Sequence, residues 1–150
     1  MRIRPFKRDE AKACVRLINK NKKDMGDLYT EKSFAKVASS NRYWVAEKKG
    51  KIVGLVGFSD LKNGIGMMVS LCVDPDFQGK GIGTKLIRKI KSYAKRHSFR
   101  KVLLLTHAKN KKMMILAIKE DFIPEGSLRK HFRTGEDVVY FSYFLNSSGK

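Results

Sequence analysis

The sequence predicts an α+β fold: a mixed β-sheet, built as a central antiparallel meander plus a parallel crossover, flanked by helices. Three observations carry this prediction. Apolar runs rich in Val, Ile and aromatics follow one another at residues 43–47, 52–59 and 65–73, separated by Lys49-Gly50 and Asn63-Gly64. Asn-Gly readily supplies the positive φ angles of a tight hairpin turn, so the three runs read as an antiparallel meander. The hydrophobic period then lengthens over residues 81–97, where Ile82, Leu86, Ile87, Ile90 and Ala94 share one face of a helix. Another apolar run at 101–106 completes a strand–helix–strand passage, which requires a crossover and sets two strands parallel.

The remaining elements follow from the same periodicities. Residues 2–6 alternate and lead into a charged stretch, as a short edge strand does. Residues 8–22 carry Ala11, Cys14, Val15 and Ile18 at helical spacing, and Thr30 before Ser33, Phe34, Val37 and Ala38 marks a second, short helix. The polar stretch 21–29 between them is expected to be a mobile loop. Residues 111–120 read as a helix, and 127–133 with 138–145 as a final hairpin turning at Thr134-Gly135. The aromatic strand 138–145 is a candidate edge that could pair with a second copy in a homodimer. No linker divides the chain, so residues 1–145 are expected to form a single domain, with 146–150 a frayed tail.

Composition narrows the function classes. A chain of 150 residues with 42% hydrophobic residues can bury a core without metals or disulfides. Its two cysteines, Cys14 and Cys72, have no CxxC spacing and read as buried thiols, and three histidines without paired spacing argue against a metal site. No apolar run approaches the ~20 residues of a membrane span, and residues 1–5 lack a signal core, so a cytoplasmic location is expected. Charge is the unusual feature: 33 Lys plus Arg against 14 Asp plus Glu leave +19. Between Phe77 and Lys119 stand 13 basic residues and no acidic one, a field that attracts an anionic cofactor, nucleic acid, ribosome or acidic protein.

One loop selects among these. In Val73-Asp74-Pro75-Asp76-Phe77-Gln78-Gly79-Lys80-Gly81-Ile82-Gly83-Thr84 a strand runs directly into a basic helix through three glycines in five positions. Glycines permit close backbone approach, and a helix N-terminus presents free N–H groups and a positive dipole end, which suits a phosphate or pyrophosphate. The spacing matches neither the dinucleotide-binding GxGxxG nor the Walker A frame. Gln78-Gly79-Lys80-Gly81-Ile82-Gly83 does resemble the Q/R-x-x-G-x-G/A signature of the GNAT superfamily of N-acetyltransferases. The setting is also similar: the strand ending Leu71-Cys72-Val73 before the loop, the amphipathic helix after it, and the preceding Lys49-Gly50-Lys51-Ile52-Val53-Gly54 hairpin.

The resemblance spans residues 2 to about 145 and implies a GNAT-like sheet with an acetyl-CoA site. Backbone N–H groups of Gly79, Lys80, Gly81, Ile82, Gly83 and Thr84, following Gln78, would hold the pyrophosphate. The pantetheine arm would lie along Leu71, Cys72 and Val73 where that strand splays from its parallel neighbour, with Asn110 beside it. The activity implied is acetyl transfer from acetyl-CoA to a primary amine of a protein or small molecule, by direct attack in a ternary complex. The +19 charge leans the acceptor toward anionic or ribosome-presented substrates.

The sequence departs from the family pattern at its acid and base positions. The Tyr that commonly protonates the leaving thiolate is replaced by Ala117, the strand position of a Glu base by Met67 and Met68, and the Gly of a terminal Gly-Phe by Asp121 before Phe122. His107, just past the fifth strand, is the remaining candidate for proton transfer, with Tyr140 and Tyr143 on the last strand behind it. Met67, Met68, Met113, Met114, Phe34 and Trp44 fit either core or cleft wall. The missing Tyr and Glu, together with the acid-free stretch, motivate an alternative: a basic nucleic-acid- or ribosome-associated protein with the same fold and little catalysis.

Overall fold

The computed structural model describes residues 1–22 and 29–145. The expected loop at 21–29 falls largely on 23–28, and the expected tail on 146–150, both outside the described residues.

Seven strands form one mixed sheet in the order β1-β2-β3-β4-β5-β7-β6. β1 (Arg2–Pro5) lies at an edge, paired antiparallel with β2 (Arg42–Lys48). Between them come a 3-10 turn (Arg8–Glu10), α1 (Ala11–Lys20) and α2 (Glu31–Ser40). The expected helix over 8–22 starts tight because Glu10 folds back, accepting from the Lys7 amide at 2.9 Å and pairing with Arg4. α2 begins at Thr30, whose hydroxyl accepts from the Ser33 amide at 3.1 Å.

β2, β3 (Lys51–Asp60) and β4 (Ile65–Val73) form the expected meander. Lys49 and Gly50, then Lys62, Asn63 and Gly64, take the positive φ angles that reverse the chain. α3 (Ile82–Arg96) follows, and β5 (Lys101–His107) returns parallel to β4. α4 (Lys111–Lys119), β6 (Ile123–Leu128) and β7 (Val138–Phe144) complete the chain.

Two expectations are corrected. The penultimate strand is Ile123–Leu128 rather than 127–133. Pro124 and Gly126 weaken its strand signal, yet an edge strand with a register shift between those residues tolerates both. β7 is also not an edge: it lies between β5 and β6, so its aromatic residues serve the sheet and are unavailable for pairing with a second copy.

A core lies on each face. α3 and α4 cover one around Trp44, Val56, Phe58, Met68, Leu86, Ile90, Leu104 and Phe122, while α1 and α2 cover the other around Cys14, Ile18, Phe34, Tyr43, Leu55 and Cys72. Phe34, Trp44 and Met68 therefore belong to core. β4 changes face midway. Ser70 adopts φ 55° where the β3–β4 register shifts, so Met68 faces the α3 side and Cys72, four residues on, the α1 side.

Candidate active site

The same bulge opens the sheet. Parallel pairing of β4 with β5 runs from Ile65 opposite Lys101 only to Met68 opposite Leu104. Beyond it β4 pairs with β3 alone and β5 with β7 alone, so their facing edges leave main-chain groups free for a ligand. A cavity of about 420 Å3 lies at this opening, between the end of β4, the first turn of α3 and the inner face of α4.

Leu71, Cys72, Val73, Gln78, Gly79, Gly81, Ile82, Gly83, Thr84 and Asn110 all line it. Lys80 does not: its ammonium donates to the Asp76 carbonyl at 3.3 Å and sits 5.2 Å from the centre of the Phe77 ring. Gly79 and Gly81 hold φ of 75° and 80°, the left-handed region that side chains resist, and a Cβ on either would meet nothing within 4 Å. Gly81 is the N-cap of α3 and offers no side-chain cap, which leaves first-turn amides for a ligand. A bare backbone nest at a helix N-terminus, with lysines at its rim, fits the pyrophosphate of coenzyme A.

Two side chains brace the loop from behind. The Gln78 amide donates to the Asn21 Oδ1 at 3.2 Å and to the Val73 carbonyl at 3.1 Å, tying the loop to the end of α1. Asp74, 2% exposed, caps the 3-10 turn Pro75–Phe77 through the Asp76 amide and accepts from Lys20 Nζ at 2.9 Å. Burial opposes its ionisation, but the Lys20 and Asp76 hydrogen bonds and nearby Lys51 prevail, holding its carboxyl below the ordinary range.

Asn110 is the N-cap of α4, its Oδ1 accepting from the Met113 amide at 3.1 Å, which turns the first residues of α4 to the cavity. Met113, a cleft-wall candidate from the sequence, lines the cavity, as do Asn21, Lys112, Leu116 and Lys119, which were not singled out by sequence. The spacing of 112, 116 and 119 is one helical face and could have revealed them.

Ala117 is fully buried in the α3-side core and Met68 is 3% exposed, so neither family acid/base position carries a titratable group. Met113 lines the cavity and Met114 packs against the core. Tyr140 packs over Gly126 and Tyr143 against Phe122. Cys72 lines the cavity, yet its side chain belongs to the core under α1, and burial pushes its thiol far above the ordinary range.

His107 is buried at 8% exposure, where an exposed loop histidine would be the default expectation. Its ring stacks on Phe132 with centroids 4.5 Å apart, and its Nε2 has no hydrogen-bond partner among the described residues. It lies at the end of β5, opposite Val138, and outside the cavity lining. Among the described residues no cluster of His, Cys, Asp or Glu suits a metal ion, and no helix is long and apolar enough to cross a membrane.

Comparison with known proteins agrees with this geometry. The model of the Acetyltransferase (GNAT) family matches residues 10–117. A protein named as an N-acetyltransferase from Methanocaldococcus jannaschii is 40% identical over 46% of this chain and 33% of its own length. The Xenopus laevis protein camello, also named as an N-acetyltransferase, is 28% identical over 84% of this chain and 59% of its own. The chain thus spans between about a third and three-fifths of these relatives. Among solved structures, the ribosomal-protein-S18-alanine N-acetyltransferase of Escherichia coli superposes with a TM-score of 0.85 at 17% identity, covering 99% of this chain and 96% of that one. The yncA protein of Salmonella typhimurium, solved with its cofactor acetyl-CoA, gives 0.82 at 16% identity, covering 100% and 96%. At these identities the structural likeness is one of fold, and with the family match it places the protein: the chain belongs to the GNAT family of acetyltransferases.

Proposed function

We propose that the protein transfers an acetyl group from acetyl-CoA to a primary amine of a protein or small molecule, by direct attack of the amine within a ternary complex. One observation carries the proposal. The glycine loop, the splayed end of β4 and the inner face of α4 converge on a single cavity, lined by every residue the resemblance assigned to the cofactor except Lys80. We place the whole activity on one domain, residues 1–145.

Acetyl-CoA, when bound, supplies an activated acetyl thioester. Amides of the loop and of the first turn of α3 would hold its pyrophosphate, and Lys112 and Lys119 would neutralise charge from the facing helix. Main-chain groups left free on the β5-facing edge of Leu71–Val73 would align the arm, and positioning of this kind supplies much of the barrier reduction in a transfer to an amine. Direct attack is favoured over a thiol relay because burial keeps the Cys72 side chain protonated in the opposite core. The attacking amine must be neutral, so activity should rise with pH through the acceptor's pKa. His107, with a buried and unpartnered ring nitrogen, is the group proposed to take up the proton. The fully formed cavity favours this reading over a fold retained without catalysis. A cytoplasmic enzyme acting on an anionic or ribosome-presented acceptor is the setting its charge suits best.

The test is calorimetric titration with acetyl-CoA of the native protein, Gly81→Asp and Gly81→Asn. Both substitutions bear the same left-handed strain, but only aspartate adds a negative charge at the nest. Native binding that survives in part in Gly81→Asn and is lost in Gly81→Asp supports the site. No binding by the native protein would remove the proposal.

A further inference from the structure

We infer that the outer face of α3 is a binding surface for the phosphate backbone of a nucleic acid. Lys85, Arg88, Lys95 and Arg96 are exposed there, with Lys89 half-buried beside them and Ser92 in the same row. Arg88 is partly neutralised by Glu120 at 3.2 Å. Lys85, Lys89, Lys95 and Arg96 have no carboxylate partner within 4.0 Å among the described residues.

This charge exceeds what the cofactor cavity can use. The cavity takes in only the first turn of α3, whereas the helix runs 15 residues, or about 22 Å at ~1.5 Å per residue. Charges at its far end therefore lie well beyond the ~8 Å over which salt screens them from a ligand in the cavity. The row is also unfavourable to the helix itself. Lys85 and Lys89 are like charges four residues apart with no carboxylate between them, a pair that destabilises the helix by about 0.2–0.5 kcal/mol. Such an arrangement on one face, with no acidic residue between Phe77 and Lys119, suits a partner that is itself a row of negative charges.

The chemistry of the face selects nucleic acid over an acidic protein. Its exposed residues are Lys85, Arg88, Ser92, Lys95, Arg96 and the adjoining His97, all polar. The centre of a protein interface needs an aromatic or aliphatic anchor, which this face lacks. Phosphate contacts need only cations, hydroxyls and their repetition along an axis.

The experiment measures fluorescence anisotropy of a labelled 20-base-pair DNA duplex, and of an RNA strand of equal length, across a series of salt concentrations. The native protein is compared with Lys95→Gln/Arg96→Gln on α3 and with Lys32→Gln/Lys36→Gln on α2, which lies over the opposite face of the sheet. The native protein should bind at least one probe at about 0.1 M salt. The α3 variant should lose about tenfold or more in affinity, and its slope of log K against log salt should fall by about 1.5, from roughly 0.7–0.9 per lost phosphate contact. The α2 variant should match the native protein, and acetyl-CoA affinity should be unchanged in both variants. Absence of binding to either probe, an equal loss in the α2 variant, or displacement of the probes by polyglutamate at equal charge would overturn the inference. So would a parallel loss of acetyl-CoA affinity in the α3 variant, which would return the row to the cofactor site.

Discussion

His107 keeps a ring nitrogen unpartnered in a position only 8% exposed, beneath Phe132 and at the end of the strand that borders the opening in the sheet. An unsatisfied buried polar atom is costly, and although His107 lies outside the cavity lining, this nitrogen is the group proposed for proton transfer, since Ala117 and Met68 have no proton to exchange. His107→Gln should lower kcat by about a hundredfold while leaving the KM for acetyl-CoA unchanged. A loss of thermal stability with kcat intact would instead make His107 a packing residue. Asp121 illustrates the opposite relation between chemistry and backbone. It stands where the family usually has glycine, and its φ of 69° shows why glycine suits the turn after α4, a conformation that aspartate tolerates better than most residues. That conformational demand is invisible in a single sequence.

At the scale of elements, the glycine loop depends on how closely α3 sits on the sheet. A Cβ added at Gly54 of β3 would lie 3.0 Å from Leu86 Cδ1, 3.1 Å from Ile82 Cγ2 and 3.2 Å from Ala46 Cβ. Gly54→Val should therefore push the first turn of α3 outward, cost about 1–3 kcal/mol and weaken acetyl-CoA binding in step. Denaturant midpoints and calorimetry measure the two effects, and an unchanged midpoint with unchanged affinity would sink the argument. The elements themselves were largely legible because their hydrophobic periods are clear: β4 matches its expected span, and α3 begins and ends within one residue of it. β6 was misplaced because an edge strand can carry Pro124 and Gly126, residues that read as a break. The bulge at Ser70 was not legible either, since β4 reads as one continuous apolar run.

Over the whole molecule, partly buried ion pairs tie neighbouring elements together. Glu10 is held below its ordinary range by its hydrogen bond to Arg4, and Asp74 is likewise lowered, with Lys20 and Asp76 prevailing over burial. For carboxyls depressed by folding, the stabilisation is complete above their unfolded values of about 4 and is lost as pH falls through the folded ones. Thermal midpoints should thus hold between about pH 5 and 7 and fall below about pH 4. Asp74→Asn should be less stable at neutral pH and show a shallower acid decline, and an identical pH profile would refute its part. The charge pattern, the order of helices and strands and the loop Gln78-Gly79-Lys80-Gly81-Ile82-Gly83 can be read from the chain, because periodicity and glycine spacing are local properties. Which residues meet is not local. Three-dimensional packing brought Asn21 to Gln78 and Lys112 and Lys119 to the glycine loop, turned Lys80 away, and buried His107. Those placements follow from where β4 parts from β5 and how α4 closes over the gap, geometry set by contacts between segments far apart in sequence.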